Sequence, residues 1–369
     1  MILKNCTFYN ELFEKEFGDI EIENGKIKQI GILGDGRDMS GLTLIPGFVD
    51  IHIHGCGGGD SSDVSADSLE KITKELAKHG VTSFCPTSMT LPKERLIDIV
   101  KTIADFKSSG AKIAGINLEG PFIAMSKKGA QNADYVRGGT IEEFDELMAA
   151  SDNMVKLITI APEAFGSDEF IKYVSGKSAV AIGHSAANAD ECKKAIELGV
   201  SHATHLYNAM TPMTHREAGI VGTALDSNIT CELICDGGHI CPAVLRNTFR
   251  MLGEDRAVVV SDSMRGAGLG EGEFELGGQQ VFVEKDGRYA VLADGTIAAS
   301  ISNIHTEFKN LIEYGVDFKA ALKACTINPA RVIKADNEIG SIAVGKCADF
   351  VFLDENLDIK EVYIDGVSA

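Results

Sequence analysis

Two histidines, His52 and His54, end an apolar segment at 42–54 that we predict to be a β-strand. Side chains two positions apart on a strand point to the same face, so both imidazoles face one side of the sheet. Such a pair offers two nitrogen ligands to a divalent metal ion. The alternative is a pair of histidines that hydrogen-bond to polar neighbours and bind no ion.

Other histidines and carboxylates stand at or near the ends of further predicted strands. They are Glu119, His184, His205, Asp236, His239 and Asp262. Burying carboxylates and imidazoles together costs free energy unless each group finds a partner, changes its protonation state or binds an ion. Mixed histidine and carboxylate ligands suit Zn²⁺, Fe²⁺, Mn²⁺ and similar ions, Co²⁺ and Ni²⁺ included. We therefore predict a site for one or two divalent metal ions.

The elements that must position these residues alternate along the middle of the chain. We predict eight strands, at 42–54, 81–87, 113–119, 155–162, 179–184, 202–208, 229–236 and 257–262. Amphipathic helices are predicted between several of them, at 68–79, 91–107, 189–198 and 243–252. This pattern is typical of an α/β fold, the (β/α)8 TIM-type barrel, whose active sites lie at the C-terminal ends of the strands.

Both ends of the chain show the shorter alternation of β-strands. An Asn24-Gly25 pair between two alternating segments predicts a hairpin, because both turn positions require a positive φ. We predict a small β-sandwich domain from residues 1–46 and 338–369, and a metal-dependent barrel over 47–337. A glycine-rich stretch without helical periodicity predicts a β insertion around 266–300.

Composition narrows the class of protein. The chain has 369 residues, of which 54 are acidic and 35 basic, so its formal net charge is −19. This charge argues against a nucleic acid or an anionic membrane as partner. No apolar run approaches the ~18 residues of a membrane span, and the first residues lack the pattern of a signal peptide. We expect a cytoplasmic protein.

Cysteines and one glycine run suggest other sites that we do not favour. The nine cysteines are dispersed, and their one cluster, Cys231, Cys235 and Cys241, is interpreted as small apolar side chains rather than a three-thiolate metal site. The run Gly57-Gly58-Gly59 lacks the lysine and helix of a phosphate-binding loop, so we interpret it as a flexible loop at the barrel mouth.

Eight motifs together resemble a known family. Segments 46–55 (PGFVDIHIHG) and 345–350 (GKCADF) resemble the amidohydrolase superfamily. Within it, the chain resembles the N-acetylglucosamine-6-phosphate deacetylases at 117–122 (NLEGPF), 183–185 (GHS), 204–210 (THLYNAM), 215–217 (HRE), 236–239 (DGGH) and 261–263 (SDS). The resemblance covers nearly the whole chain, and it implies a metal-dependent barrel that removes the acetyl group of a phosphosugar.

The resemblance also implies roles for matching residues. Glu119, His184 and His205 would hold the principal metal. Asp262 would be the catalytic acid and base, and His239 would be the second catalytic residue. A second ion would lie at His52 and His54, with Glu119 bridging and Asp262 close by.

The same resemblance assigns substrate contacts. Asn208, the backbone of Ala209 and Arg216 would bind the sugar phosphate, and His239 would contact the sugar and orient the acetamido group. Gln131 departs from the pattern, since some members have histidine there, and a neutral amide donates hydrogen bonds without carrying charge. Arg216 suits a phosphate as a bidentate donor, although the bare sequence leaves a solvated loop arginine equally open.

Several readings of function remain open at this point. The principal one is hydrolysis of N-acetylglucosamine 6-phosphate in amino-sugar catabolism, by a homodimer or homotetramer. The alternatives are deacetylation of N-acetylgalactosamine 6-phosphate, another amidohydrolase reaction on a different amide, and a metal-free barrel that serves as a scaffold. The last would require lost ligands, and none is missing from the sequence.

Overall fold

The computed structural model describes residues 1–165, 168–285 and 287–369. The strands are β1 (Ile2–Tyr9), β2 (Lys15–Glu23), β3 (Lys26–Gly31), β4 (Arg37–Asp38), β5 (Thr43–Pro46), β6 (Phe48–Ile53), β7 (Gly55–Cys56), β8 (Gly59–Asp60), β9 (Val81–Ser88), β10 (Lys112–Ile113), β11 (Ile116–Glu119), β12 (Val155–Ile160), β13 (Ala179–Ile182), β14 (Val200–Ala203), β15 (Thr230–Leu233), β16 (Ala257–Val259), β17 (Gly272–Leu276), β18 (Gln279–Val283), β19 (Tyr289–Val291), β20 (Ile297–Ser300), β21 (Phe350–Leu353), β22 (Ile359–Ile364) and β23 (Val367–Ser368).

The helices lie mostly between the strands of the middle region. They are α1 (Ala66–Lys78), α2 (Lys93–Asp105), α3 (Ile141–Ala150), α4 (Pro162–Phe165), α5 (Asp168–Ser175), α6 (Ala189–Leu198), α7 (Gly219–Asp226), α8 (Pro242–Arg256), α9 (Ile304–Glu313), α10 (Phe318–Cys325) and α11 (Ile327–Val332). No helix among the described residues is long and apolar enough to cross a membrane.

Eight parallel strands form the predicted barrel, in the order β6, β9, β11, β12, β13, β14, β15 and β16. The last strand returns to the first, because the backbone N–H of Asp262 donates to the carbonyl of His52 at 2.9 Å. The barrel strands are buried almost throughout, which explains why they appear in the sequence as continuous apolar runs. The structure therefore confirms the (β/α)8 fold class.

Several predicted strand limits were wrong. The strand predicted at 42–54 is two strands, β5 in the small sheet and β6 in the barrel, and they separate at Gly47, where a Cβ would lie 2.1 Å from Thr82. The segment predicted at 113–119 splits into β10 and β11. The strands predicted at 202–208 and 257–262 stop early, because the residues that follow turn into the barrel mouth.

Local signals account for the helix that was predicted most accurately. Helix α6 spans 189–198 as expected, and the Asn188 side chain accepts from the N–H groups of Asp190 and Glu191. The Glu191 side chain in turn accepts from the Asn188 N–H, which completes a capping box. Gly199 ends the helix with φ 124°. Helix α8 runs past its predicted end at 252 and contains a break at Gly253.

Both ends of the chain build one sheet, ordered β23, β22, β21, β5, β1, β2 and β3, with β4 beside β1. Strand β5 pairs antiparallel with β21, which joins the two ends of the chain. The sheet has its own core, which includes Phe8, Ile20, Leu44 and Phe350. A small β domain from both termini is therefore confirmed, while its limits at 46 and 338 stay a prediction.

The insertion after the eighth barrel strand is a four-stranded antiparallel sheet, β17 to β20, as predicted. The glycine run at 57–59 differs from its prediction. It connects β7 and β8 in a tight two-stranded hairpin, and both strands are buried. Gly59 has no room for a side chain, because a Cβ would lie 2.3 Å from the carbonyl of Ser68. The run is therefore part of a closely packed hairpin rather than a flexible loop.

The predicted turn between β2 and β3 is present, with Asn24 at φ 51° and Gly25 at φ 76°. We expect Gly25→Ala to lower the free energy of unfolding by about 1–2 kcal/mol, because a Cβ disfavours left-handed backbone, and because it would meet Asp365 at 3.3 Å. Urea denaturation of both proteins measures the difference. Gly34→Ala is the matched control, since its Cβ would have no atom of the described residues within 4 Å. Equal losses in the two variants would contradict the account of the turn.

Candidate active site

Three chemistry-bearing residues follow barrel strands in left-handed backbone. His184 has φ 47°, His205 has φ 26° and Asp262 has φ 44°. Residues with a side chain rarely adopt this region, and each instance costs about 1–3 kcal/mol. The sharp turn after each strand directs the side chain into the barrel mouth rather than along the strand. This local strain explains why the strands end before the positions that we predicted.

Glu119, at the end of β11, lies at the centre of these side chains. Its carboxylate oxygens are 2.8 Å from Nε2 of His205, 3.0 Å from Nε2 of His184 and 3.2 Å from Nε2 of His54. Nε2 of His52 is 3.5 Å away. Every residue of this group is at least nine-tenths buried. One buried carboxylate is thus surrounded by four imidazoles.

Two sets of possible metal ligands share this centre. His52, His54 and Asp262 form one set, and Glu119, His184 and His205 form the other, with the ligand atoms of each set within 4.8 Å of one another. Nε2 of His52 is buried, has no hydrogen-bond partner among the residues that the structure describes, and lies 3.5 Å from both Glu119 and Asp262. An orphaned nitrogen beside two carboxylates is the environment that a divalent cation completes, so these residues fit a metal.

The charges in the group reinforce this fit. The pKa of the Glu119 carboxyl lies well below its ordinary value, because His52 and His184 outweigh the effect of burial. Burial opposes the charged form of His54 too, but its hydrogen bonds to Asp262 and Glu119 raise its pKa to about 9. The ionised form of Glu119 is therefore favoured at the centre, where a divalent cation would bind.

Sequence reasoning missed a buried carboxylate behind the histidines. Glu232 lies within β15 and has no exposed surface. Its Oε2 is 2.9 Å from Nδ1 of His52 and accepts the backbone N–H of His205 at 3.0 Å, while its Oε1 is 3.0 Å from Nε2 of His202. The one available signal was a carboxylate inside an otherwise apolar strand.

Gln131 is buried in the site, but its amide is committed to protein partners. Its side-chain nitrogen donates to Oε2 of Glu119 at 2.7 Å, and its side-chain oxygen accepts the N–H of Thr90 at 2.6 Å. The residue lines the cavity, yet both polar atoms orient Glu119 and the loop that carries Thr90. Gln131 therefore holds the carboxylate of Glu119 with an uncharged hydrogen-bond donor.

His239 is fixed by Asp236, which the sequence placed at the end of the seventh strand. Nδ1 of His239 is 2.7 Å from Oδ2 of Asp236, and the other carboxylate oxygen accepts the N–H groups of Gly238 and His239. The ring of Tyr289, from the insertion, packs edge-on against His239 at 5.7 Å. Because Nδ1 faces the carboxylate, Nε2 is the nitrogen that remains for a ligand.

A cavity of about 360 Å³ opens above these residues. Its lining includes the metal-ligand candidates and the predicted substrate contacts, namely Glu119, Gln131, His184, His205, Asn208, Ala209, His239 and Asp262. The insertion contributes residues 296–298 to the wall. The mouth therefore brings together residues from loops that lie far apart in the sequence.

The basic residue that lines the cavity is not the one that the sequence predicted. Arg216, predicted to bind phosphate, is exposed and lies outside the lining residues. Lys127, which sequence reasoning did not select, lines the cavity, and its Nζ donates to the carbonyl of Met210 at 3.3 Å. A cation next to the Asn208-Ala209 segment suits an anionic group at that end of the cavity.

Cysteines contribute nothing to the described centre. Cys231 and Cys235 are buried and Cys241 is exposed, and the metal-ligand groups found in the described ranges include none of the three. Another possible group, Cys347, Asp349 and Asp365, lies in the small domain. There Nζ of Lys112 is 2.9 Å from Asp349 and 2.6 Å from Asp365, so a lysine already supplies the positive charge.

The sequence profile described as "Amidohydrolase family" matches residues 43–368, which is most of the chain. The chain belongs to the amidohydrolase family. This amidohydrolase is 35% identical to an N-acetylglucosamine-6-phosphate deacetylase of Bacillus subtilis, over 97% of this chain and 94% of that protein. It is 33% identical to an N-acetylgalactosamine-6-phosphate deacetylase of Escherichia coli, over 88% of this chain and 87% of the relative.

A solved structure supports the same family assignment. The crystal structure of N-acetylglucosamine-6-phosphate deacetylase from Pasteurella multocida superposes with a TM-score of 0.92 at 30% identity, covering 100% of this chain and 99% of the other. The family is metal-dependent, and the two ligand sets of this amidohydrolase are its candidate metal sites.

Because Glu119 faces both ligand sets, its removal should affect both. We expect Glu119→Ala to retain no tightly bound divalent ion after dialysis, whereas Asp262→Ala should keep an ion at Glu119, His184 and His205. Elemental analysis of the purified proteins by mass spectrometry measures the ions per chain. A Glu119→Ala protein with the metal content of the unaltered chain would contradict the placement of the centre.

Proposed function

We propose that this chain hydrolyses the acetamide of N-acetylglucosamine 6-phosphate and releases glucosamine 6-phosphate and acetate, a step of amino-sugar catabolism. The observation that carries the proposal is the central carboxylate Glu119, with two sets of candidate metal-ligating side chains beside a cavity of about 360 Å³. Membership of a family of amide hydrolases and the substrates named for its relatives support the same reaction.

Glu119, His184 and His205 would hold the principal ion, and His52, His54 and Asp262 a second one. A bound divalent ion lowers the pKa of water from about 16 towards ~7 and polarises a carbonyl oxygen. The ligand types suit Zn²⁺ and Fe²⁺, with Mn²⁺, Co²⁺ and Ni²⁺ as further candidates. Each chain would bind one or two ions at these ligand sets.

Asp262 is the group that moves protons. Despite burial its pKa is lowered, because His52 and His54 stabilise the carboxylate, so it is ionised at neutral pH and can accept a proton from water. The water oxygen then bonds to the acetyl carbon, and the C–N bond breaks. Asp262 returns the proton to the departing nitrogen, which leaves as an amine rather than as a poor amide anion.

The remaining residues hold the substrate. His239, oriented by Asp236, would direct Nε2 towards the sugar and the acetamido group. Asn208, Ala209 and Lys127 line the cavity and would bind the phosphate. The exposed Arg216 would be a further phosphate ligand. At physiological ionic strength the Debye length is about 8 Å, so these local donors outweigh the distant negative charges of the surface.

The first test is release of free amine from N-acetylglucosamine 6-phosphate, beside N-acetylgalactosamine 6-phosphate and unphosphorylated N-acetylglucosamine. We expect the phosphorylated gluco sugar to be the best substrate. Asp262→Asn should lower turnover by about 10³-fold, within the range for loss of an acid and base, while an ion stays at the first ligand set. Full activity in Asp262→Asn would remove its role. No release from any sugar by metal-loaded protein would contradict the proposed substrate class.

The phosphate contacts have a test of their own. Lys127→Ala and Arg216→Ala should each raise KM for the phosphorylated sugar about tenfold or more, as expected for a lost charge-assisted contact of about 1.5–3 kcal/mol. They should change KM for the unphosphorylated sugar little. Lys128→Ala is the matched control, because Lys128 lies outside the cavity lining and donates to carbonyls of its own loop. Equal effects on both sugars would exclude phosphate binding by the residue concerned.

A cytoplasmic location and assembly as a homodimer or homotetramer complete the proposal. The relatives support the small-molecule phosphosugar as substrate. Size-exclusion chromatography with light scattering would give the oligomeric state directly.

A further inference from the structure

We propose that Glu232 is a positioning residue that sets the ring orientation and tautomer of His52, and that it thereby maintains the second metal site of His52, His54 and Asp262. The inference rests on the metal-dependent part of the proposed function. Glu232 is fully buried and absent from the cavity lining.

The geometry fixes which nitrogen of His52 is free. Oε2 of Glu232 is 2.9 Å from Nδ1 of His52. The same oxygen accepts the backbone N–H of His205 at 3.0 Å, so it acts as an acceptor, and Nδ1 of His52 carries the hydrogen of this contact. Nε2 is then the nitrogen with a free lone pair, and it is the atom that faces Glu119 and Asp262. Glu232 therefore selects the tautomer that can bind an ion in the second site.

The same carboxylate reaches the first ligand set. Oε2 also accepts the backbone N–H of His205 at 3.0 Å, and His205 is held there in left-handed backbone. One oxygen thus contacts a side chain from one set and the backbone of a residue from the other. This contact holds the backbone of His205, whereas the His205 ring lies 2.8 Å from Glu119. The first ligand set is therefore also held by Glu119, independently of Glu232.

A third contact keeps Glu232 in place. Its Oε1 is 3.0 Å from Nε2 of His202, and Nδ1 of His202 is 2.6 Å from Oγ1 of Thr230. Both carboxylate oxygens are therefore used, and the side chain has no freedom to turn away from His52. Residues behind metal-binding histidines usually act in this way, and their loss typically weakens metal affinity about 10- to 100-fold.

The test is metal binding by Glu232→Gln, which keeps the volume of the side chain but replaces one acceptor by a donor. Apo-protein is titrated with Zn²⁺ by calorimetry, and with Co²⁺ by its visible absorption, which reports the coordination of each ion. We expect the second ion to bind about 10- to 100-fold more weakly than in the unaltered chain, with a changed Co²⁺ spectrum. The first ion should bind with unchanged affinity.

Two further variants calibrate the result. His52→Gln lacks the ligand itself and should lose the second ion. Glu307→Gln is the matched control, because Glu307 is equally buried and its Oε2 accepts the N–H of Cys235 near the end of the same strand, away from the histidines. It should retain both ions. If Glu232→Gln fails to unfold cooperatively on heating, Glu232→Asp carries the test, since it keeps the charge while shortening the reach to His52.

The outcomes separate this inference from the proposed function, because the titration uses no sugar. Two ions of unchanged affinity in a folded Glu232→Gln or Glu232→Asp protein would overturn the role of Glu232. A single ion in the unaltered chain would overturn it too, since there would be no second site to maintain. In either case the amine-release assay would still decide the reaction on its own.

Discussion

The crowding of imidazoles around one buried carboxylate is the constraint on which the barrel mouth depends. Glu119 attracts nitrogens from β6 and from the ends of β13 and β14, and burial makes every unbalanced charge there costly. The left-handed backbone at His184, His205 and Asp262 persists because these contacts over-determine it. The contacts to Glu119 therefore hold the strained backbone in place. A bound cation would balance the negative charge of the buried carboxylates.

Around this centre the chain places supports rather than further reactive groups. Glu232 lies behind His52, Gln131 braces Glu119, and Asp236 holds His239. The polar atoms of these three side chains are used in hydrogen bonds to other residues of the protein. The reacting geometry is thus set by rigid strands and buried hydrogen bonds, whereas the cavity wall comes from loops and from the inserted sheet, where substrate preference can vary without disturbing the centre.

The alternation of strands and helices was enough to predict the barrel, and the ends of the predicted strands located Glu119, His184, His205 and Asp262 before any coordinates. Glu232 was missed because a carboxylate within an apolar strand is only a weak signal, and its role depends on partners from other strands of the barrel. Strand limits failed where the backbone turns left-handed, as at His205, since burial and strain there depend on distant residues. Arg216 was selected for its chemistry, but its position outside the cavity lining depends on how its loop folds.

The sheet shared by the two ends of the chain has a consequence for the order of assembly. Arg37 and Tyr363, which hydrogen-bond across this sheet, are 326 positions apart. During synthesis, the edge of β5 that pairs with β21 has no partner until the whole barrel has been made. An unpaired strand edge can pair with another chain. Closing so long a loop is entropically slow, so the barrel can form before its neighbouring sheet is complete. The small sheet is therefore completed only by strands that follow the whole barrel in the sequence.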